Sequence, residues 1–231
     1  MASKNNKKKP TTASNFATLS PKQYIKQRAR QLPLVKAFIN SDFLENGMAC
    51  VVIVRQQGGE KYLVGTFMVD IFCLGIKNSL FAMGMPEYDF EEYIENYYGR
   101  MGLPYKEYDP TYAQNVVWGA FEYAEELGFA PTKYSDFDVY QYILDPIDEI
   151  EFIDIPFGRN GKPFYIAGPH DNAQKVCNTL QKKLGVDGYD FILPIGGEVM
   201  DSDGNIYDLG QGYDDDENYD DENYDTYEEV K

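Results

Sequence analysis

Three groups that could do chemistry follow one another at short spacing: the carboxyl of Asp70, the thiol of Cys73 and the amine of Lys77. They lie in the apolar segment VGTFMVDIFCLGIK, where an ionised carboxylate costs on the order of several kcal/mol unless it is paired. Lys77 and Arg55 are the candidate partners. As chemistry, the cluster predicts a general base or a metal-facing acid at Asp70, with Cys73 and Lys77 nearby. The alternative, which we prefer, is that Asp70 anchors a buried turn through backbone amides.

The chain has one histidine, His170. Histidine-rich metal sites are therefore excluded, and a Ser-His-Asp or Cys-His centre would have to use this residue. His170 lies in GPHDN before a predicted helix, with Asp171 as the expected N-cap, so we interpret it as a surface turn residue. The E-x-x-H pairing of di-iron bundles is absent. We expect no metal and no cofactor.

Two cations flank a predicted tight turn at Asn160-Gly161, Arg159 on one side and Lys162 on the other. Such a hairpin tip could contact phosphate, although a solvated turn explains the same pattern. Further cations concentrate near the N-terminus, where residues 1–40 contain nine Lys or Arg and no Asp or Glu. The candidate binding residues are Lys7, Lys8, Lys9, Lys22, Lys26, Arg28, Arg30, Arg159 and Lys162.

The elements that must position these groups are indicated by local signals. Ser20-Pro21 predicts a helix start, and the helix stops before Pro33. Residues 48–55 and 62–74 predict an antiparallel hairpin, the second strand being central because its apolar run is continuous. Helices are predicted at 86–99, at 110–127, at 136–144 and at 172–184. Asn160-Gly161 predicts a hairpin between strands at 151–157 and 163–167, and a last strand is predicted at 189–195.

The composition, with 43% apolar residues, allows one sizeable core, and the net charge is -17. We predict an α+β fold in which antiparallel hairpins form a small sheet packed with several helices. Its domains are a disordered basic head at 1–19, a single core at 20–197 and a disordered acidic, Tyr-rich tail at 198–231. Three cysteines, no apolar leader segment and no run of about 18 apolar residues lead us to expect a cytoplasmic, non-membrane protein.

Three stretches together resemble a family of uncharacterised bacterial proteins: residues 62–77, 113–131 and 157–171. Its members share a FLVDxxCLGVKD strand, a GAxxYAxxLGF helix and an FGKDGKPFxxxGP hairpin. The likeness covers about residues 20–195, and no catalytic role comes with it. Asn78 stands where the family has an acid, and Thr132-Lys133 where a histidine often follows the proline. Both departures weaken a catalytic interpretation.

We therefore expect a non-enzymatic binding or adaptor protein whose basic N-terminus associates with an RNA-rich assembly, the ribosome being one candidate. The acidic tail would tune that association, or would itself mimic nucleic acid and block a basic protein partner. The alternative is a small hydrolase or nuclease-like enzyme centred on Asp70 and Lys77. The sequence assigns no oligomeric state.

Overall fold

A computed structural model describes residues 19–208 of the chain; residues 1–18 and 209–231 lie outside it. The helices and strands, in chain order, are α1 Pro21–Arg28, β1 Leu34–Asn40, α2 Phe43–Asn46, β2 Met48–Gln57, β3 Lys61–Asp70, β4 Gly75–Pro86, α3 Glu87–Gly99, β5 Tyr105–Tyr108, α4 Pro110–Leu127, α5 Phe137–Tyr140, β6 Phe164–Ile166, α6 Ala173–Leu184, β7 Asp190–Ile195, β8 Glu198–Asp201 and β9 Ile206–Asp208. Short 3-10 turns occupy Ala29–Gln31, Gln141–Ile143, Ile147–Glu149 and Val186–Gly188. Both helices and antiparallel sheets are present, so the α+β prediction is confirmed.

The larger sheet has five strands in the order β4-β3-β2-β1-β5, all paired antiparallel. β2 and β3 form the predicted hairpin, from Met48 opposite Asp70 to Gln57 opposite Lys61. β3 lies between two partners, as its continuous apolar run predicted. It ends at Asp70 and not at the predicted residue 74, because the Asp70 side chain binds the next amides and turns the chain.

Strand alternation divides the core of this sheet between its two faces. Val51 and Ile53 of β2 pack in a cluster with α4 and α5, while Val52 and Val54 pack with Phe90 of α3. The sheet is therefore covered by helices on both sides, with α3 alone on one face.

The smaller sheet has the order β6-β7-β8-β9. β6 and β7 pair in parallel and are joined by α6, whereas the other pairs are antiparallel. Leu180 of α6 is buried with Tyr165 of β6 in a third cluster, which also includes Leu127 at the end of α4. This cluster joins the smaller sheet to the helical face of the larger one.

Two predictions about this region differ from the structure. Asn160 and Gly161 do form a left-handed turn, with φ of 54° and 77°, and residues 159 and 162 form a bridge. The predicted hairpin does not continue, because residues 164–166 pair with β7 while 151–157 remain irregular. The core was expected to end at residue 197, but β8 and β9 extend the sheet to residue 208. The predicted disorder at 1–18 and 209–231 lies outside the described residues.

Arg55 is the largest fully buried side chain, only 1% exposed, on β2. Its Nε donates to the Ile143 carbonyl at 2.6 Å and one Nη to the Leu32 carbonyl at 2.7 Å. The other Nη contacts the Asp145 carboxylate at 2.5 Å. One guanidinium thus ties the ends of two helical segments to the sheet. Across residues 19–208, no helix is both long and apolar enough to cross a membrane.

Substituting Arg55→Met should lower the free energy of unfolding by about 3 kcal/mol, because it leaves two buried carbonyls and a carboxylate without their donor. Urea denaturation at neutral pH measures the change. Arg28→Met is the matched control, since Arg28 is exposed and its side chain makes a long 3.4 Å hydrogen bond to Gln31; it should stay within about 0.5 kcal/mol of the parent. Equal effects of the two substitutions would contradict the role given to Arg55.

Candidate functional site

The Asp70 carboxylate is bound by the backbone of its own turn. Its Oδ1 accepts hydrogen bonds from the amides of Phe72 at 2.9 Å and Cys73 at 3.0 Å, and its Oδ2 from Leu74 at 3.1 Å. The residue is 8% exposed. Burial raises the pKa of this carboxyl, against the lowering effect of the three amides and of Lys77. The geometry is that of a turn anchor, with both oxygens engaged by backbone amides.

Lys77 lies beside this turn but pairs with a different acid. Its ammonium contacts both oxygens of Asp171, at 2.9 and 3.2 Å, and both side chains are largely buried. Asp171 also accepts the Gly168 amide at 3.0 Å. The predicted N-cap role of Asp171 is therefore wrong: Asn172 caps α6, accepting the Lys175 amide at 3.0 Å. Arg55, the other partner considered for Asp70, pairs with Asp145 instead.

Cys73 is completely buried. Burial, assisted by Asp70, raises the pKa of its thiol far above the ordinary range, which keeps the sulfur protonated and unreactive. Burial likewise raises the pKa of Cys50 to about 11. His170 is exposed in the turn that precedes α6.

Asp70 and Lys77 do share one cleft, of about 360 Å³, with Asp171. Its walls are otherwise mainly apolar, including Phe72 and Phe164. In this arrangement Lys77 and Asp171 position each other, and Asp70 fixes its own turn. The cleft can accept a small apolar group, but it presents no free base and no thiolate.

The predicted cations are mostly engaged within the fold. On α1, Lys22 pairs with Asp136 at 2.7 Å and Lys26 with Asp138 at 3.5 Å. Arg30 donates to the Leu144 carbonyl at 2.9 Å and lies over the Tyr142 ring.

At the 159–162 turn, Arg159 lies over the Phe164 ring at 4.7 Å. Lys162 pairs with Asp190 at 2.6 Å. Lys7, Lys8 and Lys9 lie outside the described residues. Of the six predicted binding residues that can be placed, five thus have an acid, a carbonyl or an aromatic ring as a partner within the fold.

A site that the sequence did not predict lies along α4, beside the irregular segment 145–157. The amide of Asn115 holds this segment: its Nδ2 donates to the Glu151 carbonyl at 2.9 Å and its Oδ1 accepts the Ile153 amide at 3.0 Å. The indole N–H of Trp118 donates to the Asp145 carbonyl at 3.1 Å. Two side chains one helical turn apart thereby fix the backbone of the segment.

Close packing completes the floor of this site. Phe157 lies so near Gly119 that a Cβ there would come within 2.5 Å of its ring, and the same ring stacks on Tyr123 at 5.7 Å. The result is a groove of about 360 Å³ between α4 and the segment. We call it the acidic groove.

Charge and exposure distinguish the acidic groove from the cleft at Asp70. Glu122, Glu126 and Asp154 line it, and among the described residues no Lys or Arg does. Phe152 in its wall is 82% exposed, and Ile147 is exposed as well. The sequence signal was the segment DPIDEIEFID, residues 145–154, which mixes acids with apolar residues; the strand predicted at 151–157 covers only its end.

Comparison of the chain with protein-family models, curated proteins and solved structures finds no match in any of the three. The resemblance to a bacterial family thus stays a prediction. Within residues 19–208, no group of three or more His, Cys, Asp or Glu side chains is arranged to hold a metal ion.

Replacing Asp70 with Ala should lower the free energy of unfolding by about 2–4 kcal/mol, because three buried amides lose their acceptor. The free energy of unfolding of Asp70→Asn should lie between those of the parent and of Asp70→Ala, since the Asn side chain keeps one acceptor oxygen. Thermal and urea melts measure the change, and the exposed Asp187→Ala is the control, expected within about 0.5 kcal/mol of the parent. A variant Asp70→Ala that melts like the parent would contradict the anchor role and return Asp70 to the list of candidate catalytic groups.

Proposed function

We propose that the protein is a non-enzymatic binding module that captures a basic, partly apolar segment of a partner protein in the acidic groove. The observation that carries this proposal is Phe152, a large aromatic side chain held 82% exposed between acidic residues. An exposed aromatic beside a groove is the usual form of an interface anchor, because covering it removes apolar area from water.

The negative charges of the acidic groove favour a positively charged partner. Glu122, Glu126 and Asp154 face the groove, and Asp148, Glu149 and Glu151 lie exposed on the same segment. Lysine or arginine side chains are favoured there, and nucleic acid is repelled. The full chain, at -17, adds to this preference.

The groove is also preorganised for binding. Asn115 and Trp118 fix the backbone of segment 145–157 by hydrogen bonds to three of its residues. Binding of a partner therefore costs little conformational entropy of the segment, because the fold has already ordered it. This improves affinity for a given contact area.

The two other functions weighed from the sequence have less support in the geometry. A hydrolase centred on Asp70 and Lys77 needs a free base, yet the Asp70 oxygens accept three amides and Lys77 is paired with Asp171. RNA binding through α1 would have to displace the pairs of Lys22 and Lys26 with acids of α5.

A fluorescent synthetic peptide of alternating lysine and leucine is the probe for the acidic groove. Phe152→Ala should weaken its binding about tenfold or more, as expected for an interface anchor. The double variant Glu122→Gln/Glu126→Gln should weaken binding and flatten its dependence on salt. Fluorescence anisotropy at two salt concentrations measures both effects.

Controls for this experiment come from α3, on the opposite face of the larger sheet. Tyr88→Ala removes an aromatic that is 81% exposed, and Glu91→Gln/Glu92→Gln removes two exposed acids. Both variants should bind the peptide like the parent. The proposal fails if the α3 variants lose as much affinity as the groove variants, or if a labelled RNA binds the parent more tightly than the peptide does.

A further inference from the structure

A second groove, of about 750 Å³, lies between the end of α4 and the exposed face of α6. Lys175, Lys182 and Lys183 line it, together with Leu127 and Gly128. No Asp or Glu is among its lining residues, and within the described chain no carboxylate lies within 4.0 Å of these three ammonium groups. We call it the lysine groove.

Helix geometry places these cations on one surface. Lys175 and Lys182 are seven residues apart, which is close to two turns. Between them Asn178 and Thr179 also line the groove. The opposite face of α6 is apolar and packs into the core through Val176 and Leu180, so the lysine face is turned outward. The partial positive charge at the start of α6 adds to the same field.

The strand register shows where residue 208, the last described residue, lies. Asp208 is opposite Glu198, which is opposite Ile195 at the end of β7. β7 runs parallel to β6, and β6 is followed by the loop that starts α6. The chain therefore passes residue 208 at the end of the smaller sheet where α6 begins. β9 lies two strands from β7, roughly 10 Å across the sheet.

Residues 209–231 complement the lysine groove in charge and in length. They contain ten Asp or Glu and one Lys. Four tyrosines are interspersed among the acids, at positions 213, 219, 224 and 227. A segment of this length can extend far beyond the roughly 18 Å of α6. Because it belongs to the same chain, its effective concentration at the groove is in the millimolar range.

We propose that this acidic segment, residues 209–231, docks in the lysine groove of its own chain. Its carboxylates neutralise the ammonium groups of α6, and its tyrosines lie against the exposed end of α4 at Gly128. The contact leaves the acidic groove on the other part of α4 open, so it is independent of the function proposed above. Any anionic partner of α6 has to displace this segment first.

Zero-length cross-linking of the full chain with a water-soluble carbodiimide tests the proposal. Peptide mapping should find carboxylates of residues 209–231 joined to Lys175, Lys182 and Lys183 at low salt. The cross-links should decline as salt is raised to about 0.15 M and beyond, where the screening length is about 8 Å or less.

Charge reversal supplies the matched comparison. Lys182→Glu/Lys183→Glu should reduce the cross-links to the remaining amine of the groove, Lys175, about tenfold, whereas Lys61→Glu/Arg100→Glu, an equal change of charge at exposed sites away from α6, should leave the Lys175 cross-links unchanged. Mixing isotopically labelled and unlabelled protein separates contacts within a chain from contacts between chains. Cross-links spread over all exposed lysines, concentrated on Lys4 and residues 7–9, or formed only between chains would each overturn the proposal.

Discussion

The Asp70 carboxylate stabilises a turn on which four segments of the chain converge. By accepting three amides it bends the chain between β3 and β4, and other backbone groups of the turn bond to neighbouring segments. The Ile71 amide then donates to the Gly47 carbonyl, and the Ile71 carbonyl accepts the Gly158 amide. The Phe72 carbonyl accepts the Phe164 amide at the start of β6. Loss of one carboxylate therefore loosens the junction between both sheets.

Local signals in the sequence predicted the elements whose ends are fixed by nearby residues. The Ser20-Pro21 start of α1 forms a capping box, and Asp109-Pro110 and Gly128 bound α4 where predicted. In the larger sheet, β1 and the edge strands β4 and β5 were not predicted, because their strand structure comes from pairing with neighbouring strands. The Asn160-Gly161 turn was predicted correctly, but the partner of β6 comes from the far side of α6. Because β6 and β7 pair in parallel and are separated in the chain by α6, the residues of the Asn160-Gly161 turn carry no sign of this pairing.

The candidate site shows the same limit. A strand was predicted at 151–157, yet the Asn115 side chain of α4 bonds to the Glu151 carbonyl and the Ile153 amide, and Phe152 between them faces solvent. A strand assignment needed a sheet neighbour that the fold does not supply. The preferred interpretation of Asp70, as an acid that anchors a turn, agrees with its observed hydrogen bonds. It followed from the sequence because an acid within an apolar run must find hydrogen-bond donors close by. The donors are the backbone amides of the turn itself. The apolar pattern of the sequence does not show whether such amides or a cationic side chain will bind the acid.

Trp118 is the one tryptophan of the chain. It is 7% exposed, its indole N–H is bonded to the Asp145 carbonyl, and its ring contacts Phe121 and Phe137 edge-on. The molecule therefore carries an intrinsic fluorophore whose hydrogen bond is part of the wall of the acidic groove. A shift in the emission of Trp118 reports separation of segment 145–157 from α4. Movement of this wall can therefore be followed without a label, although the chain also contains twenty tyrosines.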